Sequence, residues 1–263
     1  MLAGCRVHFV DYLLIHAVMY VPGPMDTVDN LARQEILKSG EIQVTGRLID
    51  ASNATLFARA IAGENEVACI YKPIAGERPL WDFPDGSLAA REFAAYLISE
   101  EGKFNVVPFT ILRDGPFGPG MIQEWIDLDE SIDLMEFFSL DHPRLRAMAL
   151  FDAVVNNTDR KIGHLLPTPG GLVLGCDHGV TFHVEDKLRT VLWQWSDHPL
   201  FPEEIELLKD LLSRIATDLL PNLGELITTQ EIAALSMRIE RLIKSGTFPA
   251  PSNEWPAVPW PAY

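Results

Sequence analysis

The sequence predicts an α+β fold in which an antiparallel sheet with one helix precedes a mainly helical second half. Short apolar runs separated by Gly-, Pro- or Asn-containing turns fill residues 41–126, a pattern typical of antiparallel strands. Longer amphipathic periodicities dominate residues 134–244 and indicate helices. The composition changes within an acidic, polar stretch at residues 127–133. We interpret this stretch as the connection between an N-terminal lobe (26–126) and a C-terminal lobe (127–263).

Length and charge limit the classes of function. The chain has 263 residues, of which 48% are hydrophobic and 22% charged, as in an ordinary soluble protein of one large domain or two lobes. Its 37 acidic and 21 basic residues give a formal net charge of -16. Such a charge repels phosphate backbones and anionic lipid surfaces. We therefore expect no nucleic acid partner and no electrostatic docking to a membrane.

The cysteines and the N-terminal segment suggest a cytoplasmic protein. Cys5, Cys69 and Cys176 are odd in number and lack the spacing of metal ligands, which favours reduced thiols. The apolar run at residues 7–21 contains Asp11 and is too short for a bilayer span, so we expect no stable membrane insertion and no signal peptide. Residues 1–25 are predicted to be an extension that precedes the N-terminal lobe.

The elements of the N-terminal lobe follow from these patterns. The predicted order is a helix at 26–39, strands at 41–49, 56–61 and 67–71, a helix at 88–101, and strands at 106–112 and 121–126. The tip of the first hairpin, residues 51–55, is suited to lay backbone N–H groups with the Ser52 and Asn53 side chains over phosphates. It contains no glycine, however, and a plain turn is an equal alternative.

A lysine and a glutamate of this lobe are predicted to form a pair. Lys72 follows the third strand, and Pro73 ends that strand because proline lacks an amide N–H. A lysine at the end of a buried strand needs an anionic partner, the alternative being a solvated strand end. Glu92 lies at the edge of the apolar stripe of the helix at 88–101. It can therefore face the sheet and bind Lys72.

The C-terminal lobe is predicted to be largely helical. Its helices are placed at residues 134–138, 143–155, 202–220 and 229–244. Residues 180–195 form either a substrate segment or an ordinary surface loop. The Pro- and Trp-rich tail, residues 249–263, is expected to pack as an extended strap.

The most informative stretch is residues 152–166, where an apolar helix stops in polar sequence. Asp159 follows this stop, and Asp177 follows a short apolar run after the turn at 167–171. A phosphotransfer site needs one acid to orient a hydroxyl, another to hold a divalent metal, and cations such as Lys161 to absorb charge. The alternative for Asp159 is an ordinary helix-ending turn. Asp152 on the apolar helix face is interpreted as bracing the loop.

Three short motifs carry a resemblance to known proteins. They are Tyr71-Lys72-Pro73, the run from Asn157 to His164 that contains Asp159-Arg160-Lys161, and Asp177-His178-Gly179. In order and spacing they resemble the phosphatidylinositol 3/4-kinase-like branch of the protein-kinase-like superfamily, including the HipA-type bacterial kinases. The chain from about residue 26 onward also resembles an actinobacterial protein family described as kinase-like. This resemblance implies a two-lobed, protein-kinase-like fold.

The resemblance implies a role for each matching residue. ATP would be bound with its α/β-phosphates on Lys72, which Glu92 holds, and with its adenine against backbone groups at residues 123–126. Asp159 would orient or deprotonate the acceptor hydroxyl, and Asp177 would bind Mg²⁺ or Mn²⁺. The residues assigned to catalysis are Asp159, Arg160 and Lys161; those assigned to the nucleotide include Gln123, Glu124 and Trp125; those assigned to the metal are Asp177 and His164.

His164 departs from the family pattern, in which an asparagine at this position is the second metal ligand. Magnesium prefers oxygen ligands, whereas imidazole suits softer ions. We expect an ATP-dependent phosphotransferase acting on a hydroxyl of a protein or small molecule. The alternatives are a nucleotide-binding pseudokinase that serves as a regulatory module, and a kinase fold that catalyses adenylylation.

Overall fold

The computed structural model describes residues 30–48 and 53–263 and confirms the α+β fold. The N-terminal lobe contains a five-stranded antiparallel sheet in the order β1-β2-β3-β5-β4. Its strands are β1 (Glu41–Arg47), β2 (Leu56–Ala62), β3 (Asn65–Pro73), β4 (Thr110–Gly115) and β5 (Gly118–Glu124). Two helices accompany the sheet, α1 (Asn30–Ser39) and α2 (Leu88–Glu101).

Strand β3 has two apolar faces with different partners. Cys69 and Tyr71 belong to the core between the sheet and α1. Ala68 and Ile70 belong to a smaller cluster on the opposite face, together with Phe57 and partly buried Trp125. Side chains alternate along a strand, so Lys72 extends the row that begins with Ala68 and Ile70. The small cluster and Lys72 thus share one face of the sheet.

The C-terminal lobe is mainly helical, as predicted. Its elements are α3 (Leu134–Phe137), α4 (Pro143–Val155), β6 (Leu165–Pro167), β7 (Val173–Gly175), α5 (Pro202–Ile215), α6 (Leu220–Gly224) and α7 (Thr229–Ser245). Strands β6 and β7 form a two-stranded antiparallel hairpin. This hairpin separates the loop that carries Asp159 from Asp177.

Helix α2 joins the two lobes. Ala94, Ala95 and Ile98 of α2 lie in the same hydrophobic core as the C-terminal helices. On the same helix Arg91 is 1% exposed, and its guanidinium lies 2.5 Å from the Glu231 carboxylate of α7. Because α2 also carries Glu92, its packing against the C-terminal lobe fixes one side of the candidate site.

The predicted boundaries of the last hairpin in the sheet are wrong. β4 begins at Thr110 instead of residue 106. The Gly- and Pro-containing residues between the two predicted strands, 113–120, were expected to form a long turn, but residues 113–115 and 118–120 extend the strands and the turn is residues 116 and 117. Glycines at 115 and 120 occur here because a Cβ atom would come within 2.7 Å of the Tyr71 ring at Gly115 and 2.5 Å of the Lys72 carbonyl at Gly120. These glycines allow the strands to approach closely, whereas in the sequence they suggested a turn.

Other boundaries differ in smaller ways. The helix predicted at 202–220 is two helices, α5 and α6, with a break after Ile215. The bounds predicted for α2 and α4, Leu88–Glu101 and Pro143–Val155, are confirmed. The extension at residues 1–25 and the hairpin-tip residue Ser52 lie outside the described residues. Within the described ranges, every helix is too short or too polar to cross a bilayer.

Candidate active site

The loop that carries Asp159 begins at a left-handed residue. Helix α4 is capped by Asn156, whose backbone has φ 55° and ψ 55°. Asparagine tolerates this conformation better than most residues. Its side-chain amide donates to the carbonyl oxygens of His183 at 3.0 Å and Glu185 at 2.7 Å. The end of α4 is thereby tied to the segment that follows Asp177.

Asp152 braces the loop, as the sequence predicted. Its carboxylate is fully buried and receives the Arg160 guanidinium at 2.9 Å. Asn157 Nδ2 donates to the same carboxylate at 3.0 Å, and Thr190 Oγ1 donates at 3.2 Å. The Asn157 side-chain oxygen in turn accepts the N–H of Asp159 at 3.0 Å. The buried carboxylate is therefore satisfied, as a buried charge must be.

Arg160 was predicted to be catalytic, but the structure places it in the interior. Its side chain is 0% exposed. Burial by itself would lower the pKa of the guanidinium, but the nearby charge of Asp152 outweighs this effect and raises the pKa. It donates to the Cys176 carbonyl at 3.0 Å and lies 2.6 Å from His178 Nε2. Arginine has no acceptor atom, so His178 carries its proton on Nδ1. We assign Arg160 to positioning the loop against residues 176–178.

Lys72 lies between two carboxylates. Its ammonium nitrogen is 2.7 Å from Glu92 Oε1 and also binds Asp177 Oδ1. Burial disfavours the ammonium ion, but Asp177 and Glu92 outweigh it and raise the pKa of Lys72. The second oxygen of Glu92 accepts the backbone N–H of His178 at 2.9 Å. Strand β3, helix α2 and the Asp177 motif therefore converge at Lys72.

Asp159 and Lys161 form a second pair near this cluster. Lys161 Nζ lies 3.4 Å from Asp159 Oδ2, and the Asp159 side chain is 36% exposed. Burial raises the pKa of the Asp159 carboxyl, and the nearby charge of Lys161 opposes that rise. Asp177 acts on the same carboxyl by charge repulsion. Asp159 is thus an accessible acid next to a cation.

His164 faces Asp177 through its ring. Its Nδ1 faces the Lys161 N–H at 3.4 Å, and its Nε2 is 3.4 Å from Asp177 Oδ2. Burial lowers the pKa of His164 to about 4, so the ring is neutral near pH 7. In this pattern Nδ1 accepts and Nε2 carries the proton toward Asp177. The imidazole therefore offers Asp177 a donor.

The residues predicted to bind the nucleotide are only partly available. Asn53 Oδ1 accepts the backbone N–H of Arg78 at 2.8 Å. Gln123 is buried and its amide donates to Thr110 Oγ1 at 2.9 Å. The backbone N–H groups of Glu124 and Trp125 donate to Phe109 O and Ala68 O, and the Glu124 carboxylate binds Arg33. Among the described residues, the first N–H after β5 without a hydrogen bond is that of residue 126.

The C-terminal tail contacts the same loop. The Ile162 N–H donates to the Ala262 carbonyl at 2.9 Å. The Thr190 N–H and the Trp193 indole N–H donate to the Ala257 carbonyl at 3.1 and 2.9 Å. The predicted strap is thus present, and its contacts cover the loop and the segment after Asp177. These partners could not be predicted from the sequence, because a proline-rich composition carries no information on pairing.

A cavity of about 200 Å³ lies beside the loop at residues 74–88. Its lining includes Glu77, whose carboxylate accepts the N–H groups of Leu88 and Ala89 at the start of α2. It does not include Lys72, Asp159 or Asp177. The cavity is therefore separate from the candidate site.

Comparison with known proteins places the chain in a family. No protein-family model matches it. Protein Rv2133c of Mycobacterium tuberculosis (strain ATCC 25618 / H37Rv) is 40% identical in an alignment that covers 87% of this chain and 94% of the relative. The chain belongs to the Rv2133c family. The crystal structure of the Helicobacter pylori proinflammatory kinase CtkA is similar at 12% identity and a TM-score of 0.46, covering 80% of this chain and 93% of that one.

The buried histidines of this Rv2133c-family site predict a pH dependence of stability. The folded protein lowers the pKa of His164 from 6.5 to about 4 and that of His178 well below 6.5, both mainly through burial. The unfolded chain therefore binds more protons in this range, and the free energy of unfolding falls as pH drops from 6.5 toward 4. Each histidine contributes up to about 1.4 kcal/mol per pH unit.

Urea unfolding at about pH 7, 6 and 5 measures this slope. A His164→Gln variant removes one of the two titrating rings and should show a shallower dependence on pH. An identical slope in the variant and the parent protein would contradict the assignment to His164.

Proposed function

We propose that this protein transfers the terminal phosphoryl group of ATP to a hydroxyl group. The observation that carries the proposal is the convergence of Lys72, Glu92 and Asp177 from three separate elements. A largely enclosed lysine between two carboxylates is suited to hold polyphosphate beside a metal-binding acid. Asp159 and Lys161 supply the acid and the cation that the acceptor side of such a site requires.

The sheet face next to Lys72 supports a nucleotide as the ligand. Ala68, Ile70 and Lys72 follow one another on this face, and the distance along the strand from Ala68 to Lys72 is roughly 13 Å. An apolar surface at one end suits a purine base, and a cation at the other suits its phosphates. We assign hydrogen bonding of the base to the free N–H of residue 126 rather than to the occupied amides of Glu124 and Trp125.

A divalent cation fits this site in the way that Mg²⁺ binds with nucleotides. In the described ranges, no group of three or more His, Cys, Asp or Glu side chains is placed to hold a metal by itself. Mg²⁺ in phosphate-transfer sites is held by one or two carboxylates together with substrate phosphates. Asp177 would hold Mg²⁺ or Mn²⁺, which would neutralise charge on the phosphates. Burial opposes its ionisation, but Lys72 outweighs it and holds the pKa of Asp177 well below its ordinary value.

We assign His164 to orienting Asp177 instead of ligating the metal. Its neutral ring directs Nε2 at Asp177 Oδ2 while Nδ1 faces a backbone N–H. A ring that ligates through Nε2 needs its proton on Nδ1, where the Lys161 N–H already points. His164, which departs from the kinase pattern, would then affect metal binding by orienting Asp177.

Asp159 and Lys161 would act on the acceptor. Asp159 would accept a hydrogen bond from the acceptor hydroxyl and take its proton as the new P–O bond forms and the bond to the leaving ADP oxygen breaks. A carboxyl whose pKa is raised by burial is a better proton acceptor than an ordinary aspartate. Lys161 would stabilise the charge that develops on the transferred group.

Incubation with ATP and either Mg²⁺ or Mn²⁺ tests the proposal. We expect ADP release, with a phosphate added to the protein or to an acceptor, and a loss of about 100-fold in the Asp159→Asn variant. Intact-mass spectrometry and ADP quantification measure both. Asp210→Asn is the matched control, because Asp210 is an exposed acid whose ion-pair partner, among the residues that the structure describes, is Lys103.

The outcomes separate the candidate functions. ATP that stabilises the protein against heat without any ADP or AMP product would replace the proposal with a pseudokinase. A mass gain of AMP would replace it with adenylylation. Turnover that is equal in wild type and Asp159→Asn would remove the assignment of Asp159.

A further inference from the structure

Arg189 is fixed against the loop that carries Asp159. Its N–H donates to the Asn157 carbonyl at 2.9 Å, and its own carbonyl accepts the Arg160 N–H at 3.1 Å. These two hydrogen bonds flank residues 158 and 159 on the loop. The backbone of Arg189 is therefore held in place independently of its side chain.

The side chain of Arg189 has no partner in the described part of the chain. Its Nε is buried without a hydrogen bond, and its guanidinium forms no ion pair. The neighbouring cations Arg160 and Lys187 both bind carboxylates. A buried donor without a partner is destabilising, and a bound ligand would relieve that cost.

Arg189 also acts on the candidate catalytic acid. Its charge is among those that oppose the burial-driven rise in the pKa of Asp159. Lys161 lies 3.4 Å from the same carboxylate. Both cations therefore act on the charge of Asp159, and within the described residues Arg189 forms no ion pair with a carboxylate.

We propose that Arg189 forms a binding site for an anionic group beside Asp159 and Lys161. The guanidinium presents a planar fork that matches phosphate and carboxylate oxygens. This assignment rests on the proposed phosphoryl transfer. The group belongs to the acceptor, because Lys72, Asp177 and Lys161 already account for the phosphates of the nucleotide. The acceptor is then a hydroxyl compound or peptide that carries a phosphate or carboxylate near its reacting hydroxyl.

Calorimetric titration with inorganic phosphate tests the site directly. We expect saturable binding to the wild-type protein, weakened about 10-fold or more in Arg189→Met, because a charge-assisted hydrogen bond is lost. Arg189→Lys keeps the positive charge but not the planar guanidinium, and its affinity for phosphate should lie between those of the wild type and Arg189→Met. Arg59→Met is the matched control, because Arg59 pairs with Glu66 in the sheet away from the loop. Thermal melting of each variant verifies that it is folded.

A second titration separates the two sources of the anion. The affinity for a non-hydrolysable ATP analogue should be unchanged in Arg189→Met. If the affinities for the analogue and for phosphate were weakened equally, the anion would belong to the nucleotide, and the acceptor site would be overturned. Phosphate that does not bind, or that binds Arg189→Met as tightly as wild type, would overturn the site itself. Phosphate binding through Arg189 without ATP turnover would retain the anion site and reject the proposed phosphotransfer.

Discussion

Asp152→Ala is expected to lower the free energy of unfolding by about 3–5 kcal/mol. The substitution leaves the Arg160 guanidinium, which is 0% exposed, without its carboxylate. It also removes the acceptor for Asn157 and Thr190. An uncompensated buried charge is among the few single changes that cost this much, and much of a typical domain's stability would be lost.

Urea unfolding with matched variants tests this expectation. Asp210→Ala removes an exposed carboxylate and should change the free energy of unfolding by less than about 1 kcal/mol. A double variant, Asp152→Leu with Arg160→Met, removes both buried charges and should recover much of the lost stability. If Asp152→Ala were as stable as Asp210→Ala, the bracing role of the buried carboxylate would be refuted.

The sequence contained enough to place the main cations and acids of the site. Pro73 marks the end of β3, which puts Lys72 at the last paired positions of a buried strand. The 100° step of α2 leaves Glu92 at the edge of an apolar face, and in the structure its carboxylate reaches Lys72. These placements depend on local periodicity alone, which is why they were predictable.

Arg160 shows where local reasoning was insufficient. It lies between Asp159 and Lys161 in sequence, and all three were predicted to serve catalysis. Which of three neighbouring side chains points inward depends on the loop conformation, and the loop conformation depends on Asp152, eight residues earlier. The sequence analysis identified Asp152 as a brace without identifying what it binds.

Contacts between distant parts of the chain were the least predictable. The Ala262 carbonyl binds the Ile162 N–H, and the Arg189 carbonyl binds the Arg160 N–H. Both are backbone contacts to the loop, and any residue type provides the same carbonyl. Composition therefore predicted that the tail packs, whereas only the structure identifies what it packs against.

Lys72→Met is expected to lower phosphoryl transfer about 1000-fold while the protein remains folded. Methionine fills much of the volume of the lysine stem but cannot neutralise phosphate charge. Glu92, which is 3% exposed, loses its counter-charge but keeps the hydrogen bond from the His178 N–H. The Asp177 side chain is 48% exposed and stays solvated, so the cost in stability is confined to Glu92. The expected loss therefore falls on activity more than on stability.

Single-turnover measurements at saturating ATP, combined with urea unfolding, separate these two effects. Lys72→Arg retains the cation in a different shape and should lose less activity than Lys72→Met, because charge rather than volume is at stake. Glu92→Gln keeps the side-chain length and removes the anion that holds Lys72, so its activity should lie between wild type and Lys72→Met. If Lys72→Met retained activity comparable to Lys72→Arg, the nucleotide phosphates would have to be bound elsewhere. The contacts of Lys72 with Glu92 and Asp177 would then be an internal ion-pair network of the fold rather than a nucleotide site.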